Sequence, residues 1–463
     1  MKNTFIKVGP ILIGAIVLFM LLSLHFGWLD VFFFGAEHAK VQGIDYFAVP
    51  KSFLNLLEGR SAFDTWGGQQ YGPYSTWYLA HPAFSVFVAS WFSFFSPWLS
   101  YWLFILFSVL IMVYVASFIG KMASSQFQRT VIYFVILCGF PTYWMLYVGN
   151  MHAPLVLALA LILVGIIKLT YENNAKEATT ILLVGLLISF FTKPIVLLML
   201  PVLLLVKETR KTTLKSLLIY SFVSLLFLIV PILNPQSIGW NKMLAIMFDF
   251  DFIKANMNIF KNNFVLNEYM KDNSIHWLNL IAQSDYKLMH IDVFSLPVFM
   301  DTIMGVEVNP KLFKLPIYLC ILLSFCIPFI KDVRLKLESL LLLIITISLT
   351  FFLSYNTVWE YQFASILPVL GVLIVLRNKN VFYKKSLNQL FIAGLVICLP
   401  SLYFLVRGGD FQTPLSLTLI RITRVIPVLV MFVVMVVNLL SIIKKHAKPF
   451  LPKVPSASQL FFD

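Results

Sequence analysis

Four short polar clusters interrupt a chain that is otherwise dominated by apolar residues. They are 43–46 (GIDY), 149–152 (GNMH), 192–194 (TKP) and 359–362 (WEYQ). An ionisable group near the end of a membrane helix is a functional candidate by default, because a charge without a partner at membrane depth costs several kcal/mol. A carboxylate, a lysine, an amide and a second carboxylate that converge can accept a proton and hold an anionic group. The clusters therefore predict an active site where they meet.

The composition indicates a membrane protein. Of the 463 residues, 60% are hydrophobic and 12% are charged, whereas soluble domains carry about 25% charged residues. Apolar runs of about 20 residues, the length that spans a bilayer as a helix, recur along the whole chain. Because no alternating strand pattern is visible, we predict an all-α polytopic membrane protein that forms a single transmembrane domain, 1–463, in contact with membrane lipids.

The net charge of +14 reflects orientation in the membrane. Lys and Arg gather in short segments between apolar runs, as the positive-inside rule expects of cytoplasmic loops. No nucleic-acid partner is predicted. The four cysteines all lie in apolar runs without a CxxC pair, so neither a disulfide framework nor a zinc site is expected.

Charge placement predicts about twelve crossings with both termini in the cytoplasm. The first external loop, 30–98, carries interfacial helices, and a second long external loop covers 234–311. The apolar stretch 82–97 is marginal in length, and we interpret it as an interfacial segment. If it crossed the membrane instead, Lys121 and Arg129 would fall outside. The predicted crossings lie at about 8–28, 100–120, 130–148, 153–170, two limbs of 179–206, 217–233, 315–330, 340–353 and 363–376, with two more following residue 385.

The apolar run 179–206 has cytoplasmic charges at both ends, so it must go out and come back. Pro194 removes a backbone donor and disfavours helix in the residue before it, which makes 192–194 the natural break. Lys193 is therefore predicted at the outer tip of a broken helix pair, on the same side as the other three clusters. A short limb is tolerated where irregular backbone lines a protein cavity.

These motifs carry a resemblance. The first loop, with 43–48 (GIDYFA), 57–59 (LEG), 71–74 (YGPY) and 81–82 (HP), looks like the opening of the GT-C class of membrane glycosyltransferases. The clusters 149–152, 192–194 and 359–362 resemble, in order, the later blocks of glycosyltransferase family 87, the polyprenol-phosphate-mannose-dependent mannosyltransferases. Two departures stand out: this chain has Asn150 where the family commonly has Gln, and it has Tyr361 and Gln362 where the family commonly has one or two histidines.

The resemblance implies a GT-C-like bundle in the cell (inner) membrane, with its active site on the extracytoplasmic face. It implies transfer of a hexose, with mannose expected, from a polyprenyl-phosphate donor to a lipid or glycan acceptor, with inversion at the anomeric carbon. No cofactor and no metal are expected.

Asp45 is the predicted general base, because inverting transfer needs a carboxylate that takes the proton of the acceptor hydroxyl. The alternative is an aspartate that caps a helix or lies solvated in the loop. Lys193 is predicted to hold the donor phosphate as a point charge. Its alternative is a lysine that reaches for lipid headgroups. Glu360 needs a partner at a helix end, and Lys193 is a candidate for it.

The other candidates have weaker signals. Asn150 and His152 can contact sugar hydroxyls or phosphate, or can serve as a helix cap and an interhelical hydrogen bond. Trp359 can stack on a sugar or lie in the membrane interface. The remaining predicted site residues are Tyr46, Tyr74, His81 and Gln362, with Tyr74 also suited to an aromatic belt.

Three rivals remain open from the sequence, and one of them is a purely structural membrane scaffold, which fits the composition but gives no reason for charge to gather under one face. A lipid-linked glycan polymerase shares many crossings and large external loops, but it would show arginine-rich external motifs. A secondary transporter would explain a broken helix with a buried cation, but it would show an internal repeat.

Overall fold

The computed structural model describes residues 2–29, 42–57, 70–74, 78, 80–172, 174–193, 195–229, 293–305, 308–355, 358–377, 379, 384–405 and 414–446. All regular secondary structure in these residues is helical. The helices, in chain order, are α1 Lys2–Phe26, α2 Ala48–Leu57, α3 Pro82–Phe84, α4 Ser90–Ser93, α5 Pro97–Gly120, α6 Gln126–Cys138, α7 Phe140–Val148, α8 His152–Tyr171, α9 Ala175–Phe191, α10 Leu200–Leu205, α11 Lys207–Ile229, α12 Leu296–Met304, α13 Leu315–Cys326, α14 Val333–Ser354, α15 Ile366–Leu376, α16 Lys384–Cys398, α17 Leu402–Leu405 and α18 Pro414–His446. Tighter 3-10 turns cover Ile195–Met199, Pro310–Lys314, Ile327–Phe329 and Glu360–Ser365, and a π-helical turn covers Ser85–Ala89.

Eight helical stretches in the described residues are long and apolar enough to cross a membrane, which makes the chain a polytopic, multi-pass membrane protein. They coincide with eight of the predicted crossings. The other four predicted crossings coincide with α9, the shorter apolar segments Ile195–Leu205 and Glu360–Leu376, and α11. The count of twelve stays a prediction.

Helices α8 and α14 lie at the centre of the bundle and contact each other. Of their most apolar windows, 83% and 89% of the residues are buried, against 22% for α1. Because lipid is as apolar as the bundle interior, these central helices are apolar on every face and the polar groups collect at their ends. The bundle thus has two polar ends.

One end is marked by Asp45, whose carboxylate accepts a hydrogen bond from Asn150. The other is marked by Tyr171, whose hydroxyl donates to Glu338 at 2.9 Å. We call them the Asp45 end and the Tyr171 end. Helix α8 runs between them over 20 residues, which is about 30 Å at 1.5 Å per residue.

The chain doubles back at Lys193. Helix α9 begins at the Tyr171 end, where Glu177 lies 3.0 Å from Lys168, and Lys193 contacts Asn150 and His152 at the Asp45 end. The segment Ile195–Leu205 then returns, since Glu208 pairs with Lys336 at 3.0 Å at the Tyr171 end. The predicted break is therefore present, although Pro194 itself lies outside the described residues.

The stretch 82–97 does not cross the bundle. Before it, the backbone N–H of His81 donates to the carbonyl oxygen of Phe191 at the end of α9. Near its end, the carbonyl oxygen of Phe92 accepts from the Ser100 hydroxyl at 2.7 Å, and Ser100 contacts Tyr46, the neighbour of Asp45. Both ends therefore lie at the Asp45 end, and the interfacial position of the stretch stays a prediction.

The third predicted crossing, 130–148, is two helices and not one. Helix α6 ends at Cys138, Gly139 is extended with φ −64° and ψ 139°, and α7 restarts at Phe140. Pro141 has no N–H to continue the ladder, and the Thr142 hydroxyl donates to the freed carbonyl oxygen of Ile136 at 2.8 Å. Two predicted external loops are described only in part: 30–41, most of 58–79 and 230–292 lie outside the described residues.

Candidate active site at the Asp45 end

A left-handed turn at Gly149 starts the site. Gly149 has φ +67° and ends α7, and the N–H of Asn150 donates to the carbonyl oxygen of Met145 at 3.2 Å. This is the common way in which a glycine caps a helix while satisfying its last carbonyls. A Cβ at this position would lie 2.6 Å from Cβ of Tyr46. The turn therefore brings Asn150 and the first residue of α8, His152, to the first loop.

Backbone hydrogen bonds hold Asp45 beside this turn. The N–H groups of Gly43 and Asp45 donate to the carbonyl oxygens of Tyr147 and Val148, at 2.8 and 3.0 Å. These main-chain bonds fix the first loop to the end of α7, and the hydrogen bond from the Asn150 side chain to Asp45 adds to them.

The side chain of Asn150 bridges an acid and a base. Its Nδ2 donates to Asp45 Oδ2 at 2.7 Å, and its Oδ1 accepts from Lys193 Nζ at 3.0 Å. No direct ion pair joins Asp45 and Lys193, although both belong to the described part of the chain. The second oxygen of Asp45, Oδ1, has no hydrogen-bond partner among the described residues. That oxygen is available to a substrate.

His152 is held in one tautomer. Its Nε2 lies 3.1 Å from the backbone oxygen of Gln362, and since a carbonyl oxygen can only accept, Nε2 carries the proton. The lone pair of Nδ1 then accepts from Lys193 Nζ at 3.2 Å. Asp45, Asn150, Lys193, His152 and the Gln362 carbonyl group form one continuous hydrogen-bonded chain, which we call the Asp45–Gln362 relay.

An aromatic side chain covers the lysine. The ring of Tyr361 lies 5.4 Å from Lys193 Nζ and 5.8 Å from the ring of His152. A cation within about 6 Å of an aromatic face is attracted to it. Lys193 is only 9% exposed, so the ammonium group points into the protein and does not reach for headgroups.

The partner of Glu360 is Arg424, which corrects the sequence-based suggestion that Glu360 pairs with Lys193. Arg424 Nε lies 2.9 and 3.0 Å from the two carboxylate oxygens, and Nη2 donates to one of them as well. Both side chains are fully buried. Arg424 was not among the predicted site residues. The available signal was a pair of arginines, Arg421 and Arg424, inside the long apolar helix α18.

The other predicted residues have separate neighbours. Tyr46 is buried with its hydroxyl against Ser100, and Tyr74 lies 6.2 Å from the Phe47 ring. Gln362 accepts the Trp359 N–H through Oε1 at 3.0 Å, so its side chain caps the 3-10 turn that begins at Glu360. Trp359 is half-buried.

His81 lies against α9 and α11. Its ring contacts Phe191 and Tyr220. Nδ1 accepts the Ala83 N–H at 3.0 Å, so Nε2 carries the proton and donates to the Ser224 hydroxyl at 3.1 Å. Burial lowers the pKa of His81 to about 4, which keeps the ring neutral at pH 7. These contacts indicate a structural role for His81, which holds the start of the 82–97 stretch against α9 and α11.

Burial raises the pKa of Asp45 above its ordinary value of 3.8, while the hydrogen bond from Asn150 and the charge of Lys193 act in the opposite direction. Desolvation dominates because the carboxylate lies between the first loop and the bundle. A carboxylate with a raised pKa is a better proton acceptor, which is the property that a general base needs.

An apolar groove of about 360 Å³ begins beside the relay. Thr192, the residue before Lys193, lines it, together with residues from α5, α8, α9, α11 and the 83–88 stretch. The lining side chains include Phe87, Phe107, Leu157, Leu187, Phe191 and Val223. Phe87 is 67% exposed on the surface of the bundle, so the groove opens to the surroundings of the helices.

In the described residues, no group of three or more His, Cys, Asp or Glu side chains is arranged to hold a metal ion. Comparison of the chain with protein-family models, with curated proteins and with solved structures found no match.

Proposed function

We propose that this protein is an integral membrane glycosyltransferase. It moves a hexose, with mannose expected, from a polyprenyl-phosphate donor to a hydroxyl of a lipid or glycan acceptor, with inversion and on the extracytoplasmic face of the cell membrane. Asp45 is the general base. The observation that carries the proposal is the Asp45 carboxylate itself: Oδ2 is fixed by Asn150, Oδ1 has no partner in the described chain, and a buried ammonium group lies one amide away.

The reaction balances with these groups. The acceptor hydroxyl gives its proton to Asp45 as its oxygen forms a bond to the anomeric carbon. The bond from that carbon to the phosphate oxygen breaks, and its electron pair leaves with the lipid phosphate. Lys193 supports the leaving phosphate as a positive charge that is present before the reaction, which is the most effective kind of electrostatic stabilisation.

The lysine can serve a phosphate while it stays in the relay. An ammonium group has three donors, and the described residues take two of them, through Asn150 Oδ1 and His152 Nδ1. The third is left for an anion. Because Lys193 also keeps its position through the ring of Tyr361, a phosphate would meet a preorganised charge.

The apolar groove favours a lipid-linked donor over a soluble one. It begins at Thr192, and every surface in it is apolar. A phosphate at Lys193 with a hydrocarbon chain in the groove would satisfy both environments at once. Because the chain lies in hydrocarbon both before and after binding, the groove would hold it through packing contacts and not by removing it from water.

The test is transfer by the purified protein in lipid nanodiscs, with polyprenyl-phosphate-[¹⁴C]mannose and extracted lipids or glycans as acceptors. The proposal expects labelled product and one equivalent of polyprenyl phosphate per sugar transferred, with the anomeric configuration inverted in the product by NMR. Labelled sugar that crosses the bilayer of a liposome with its donor bond intact would indicate a transporter instead. Products that grow by many sugar units from one lipid would indicate a polymerase.

A further inference from the structure

Arg424 lies in the last helix of the described chain, away from the four polar clusters in sequence, yet it is among the most completely buried side chains. All five of its N–H groups have acceptors. Nε and Nη2 bind Glu360, Nη1 lies 3.1 and 3.3 Å from the carbonyl oxygens of Val396 and Thr423, and Nη2 also binds the carbonyl oxygen of Leu399. A guanidinium group held on every side cannot move independently of its helix.

The carboxylate of Glu360 is also fully hydrogen-bonded. Both carboxylate oxygens are bonded to Arg424, so no oxygen of Glu360 is left over for a proton transfer. Glu360 is also the first residue of the 3-10 turn Glu360–Ser365. The guanidinium carbon of Arg424 lies 5.6 Å from the ring of Phe363 in the same turn. The arginine therefore holds this turn at two points.

That turn supplies two members of the site. Tyr361 covers Lys193, and the carbonyl oxygen of Gln362 accepts from His152 Nε2. If the turn shifted, His152 would lose the acceptor that keeps its proton on Nε2. Nδ1 could then become protonated and would no longer accept from Lys193.

We infer that Arg424 is a positioning residue: it fixes the 360–365 turn through Glu360, and thereby fixes the His152 tautomer that orients Lys193. The inference rests on the proposed function only for its kinetic consequence. The structural consequence, a single His152 tautomer that depends on Arg424, stands apart from any reaction.

The test compares the full-length protein with the double variant Glu360→Gln/Arg424→Met in nanodiscs. Replacing both partners avoids leaving a buried charge unpaired, which is the step that unfolds proteins when one partner is removed. Selective ¹⁵N labelling of histidine reports the tautomer, and the His152 signal is assigned by its loss in His152→Gln. The wild type is expected to show one tautomer with a bare, hydrogen-bonded Nδ1. The double variant is expected to show a mixture of tautomers.

The kinetic arm uses the transfer assay. A misplacement of about 1 Å lowers kcat by about 10²-fold, so the double variant is expected to lose kcat by that order, and its KM for the donor is expected to rise because Lys193 holds the donor phosphate. A pair that only stabilises the fold would lower the melting temperature and leave kcat and the tautomer unchanged.

Arg421→Met is the matched control. Arg421 lies one turn earlier on α18, is also buried, and binds the Val293 carbonyl oxygen at 2.9 Å and the Thr302 hydroxyl at 2.8 Å. The control is expected to keep the wild-type His152 signal. If the double variant does not fold, Arg424→Lys takes its place, because it keeps the charge but loses the planar fork.

A wild-type His152 signal in the double variant, or in Arg424→Lys where the double variant fails to fold, overturns the inference. Failure of the proposed function has a different signature: the wild type itself transfers no sugar, while the tautomer comparison still decides the role of Arg424.

Discussion

The carboxylate of Asp45 and the ammonium group of Lys193 face each other across a single side-chain amide and form no direct ion pair. A direct pair would neutralise both groups and leave neither for a ligand. With Asn150 between them, each charge is attracted to the other while keeping one hydrogen-bonding position open. This arrangement separates a proton acceptor from an anion-binding charge by a fixed distance.

Asp45→Asn tests the proton acceptor. The change keeps the shape of the side chain and removes the basic oxygen, and loss of a general base lowers turnover by about 10²- to 10⁴-fold. We expect that loss in kcat, with expression, melting temperature and donor affinity close to wild type. The control is Asp301→Asn, an aspartate on α12 that accepts the Val308 N–H at 2.7 Å. Normal turnover of Asp45→Asn would show that Asp45 is not the general base.

The dependence of turnover on pH follows from the environment of Asp45. A base must be deprotonated, so turnover is present above its pKa and is lost as the pH falls through it. Burial raises that pKa above 3.8, and the Asn150 hydrogen bond lowers it. Asn150→Ala removes that hydrogen bond, so the pKa of Asp45 is expected to rise further. The acidic limb of the pH profile, the fall in turnover toward low pH, is therefore expected at a higher pH in Asn150→Ala than in the wild type.

The measurement is kcat/KM against pH, which reports the free enzyme. Asn174→Ala is the control, because Asn174 caps α9 at the opposite end of the bundle. An acidic limb that stays in place or moves to lower pH in Asn150→Ala would contradict the assignment of Asp45.

Lys193→Met and Lys193→Arg test the phosphate site. A hydrogen bond to a charged group contributes about 1.5–3 kcal/mol, which corresponds to roughly 10- to 100-fold in affinity. We expect donor binding, measured by isothermal titration calorimetry with polyprenyl phosphate, to weaken by that factor in Lys193→Met and to be partly retained in Lys193→Arg. Lys336→Met, which removes the ion pair with Glu208 at the Tyr171 end, is expected to bind normally. Equal affinity for polyprenyl phosphate in all three variants would show that Lys193 does not bind the phosphate and has a structural role.

Much of this site was predictable because its residues stand out from the apolar background. The clusters 43–46, 149–152 and 192–193 meet in the structure through the contacts of Asp45, Asn150 and Lys193, as the parity of charged loops predicts. The partner of Glu360 was not predicted, because Arg424 is 64 residues away and only the tertiary arrangement of α18 brings the two together. The break at Gly139 was missed because a run of apolar residues hides a turn, although Pro141 signalled it.

Gly149→Ala tests the turn that places Asn150 and His152. A left-handed backbone costs an ordinary residue about 1–2 kcal/mol, and at this position the new Cβ would also lie 2.6 Å from Cβ of Tyr46. Gly305 offers a matched control with φ +65° and nothing within 4 Å of the added atom. We expect Gly305→Ala to lower the free energy of unfolding by the backbone term only, about 1–2 kcal/mol. Gly149→Ala is expected to lower it further and to reduce turnover, measured by thermal unfolding and the transfer assay. Equal effects of the two variants would show that the contact with Tyr46 relaxes.

Leu187→Trp tests whether the apolar groove takes the hydrocarbon chain of the donor. Leu187 lines the groove, and a larger ring there would displace part of a bound chain. Losing about ten atom contacts at roughly 0.1 kcal/mol each costs about 1 kcal/mol, which raises the KM about fivefold. The effect must depend on the chain: a long-chain polyprenyl-phosphate hexose is expected to show the increase, and an analogue whose chain is too short to reach the groove is expected to show none. Leu322→Trp, at an exposed position on α13, controls for the added ring. An equal rise in KM for both donors would mean that the substitution disturbs the relay next to Thr192 and that the chain lies elsewhere.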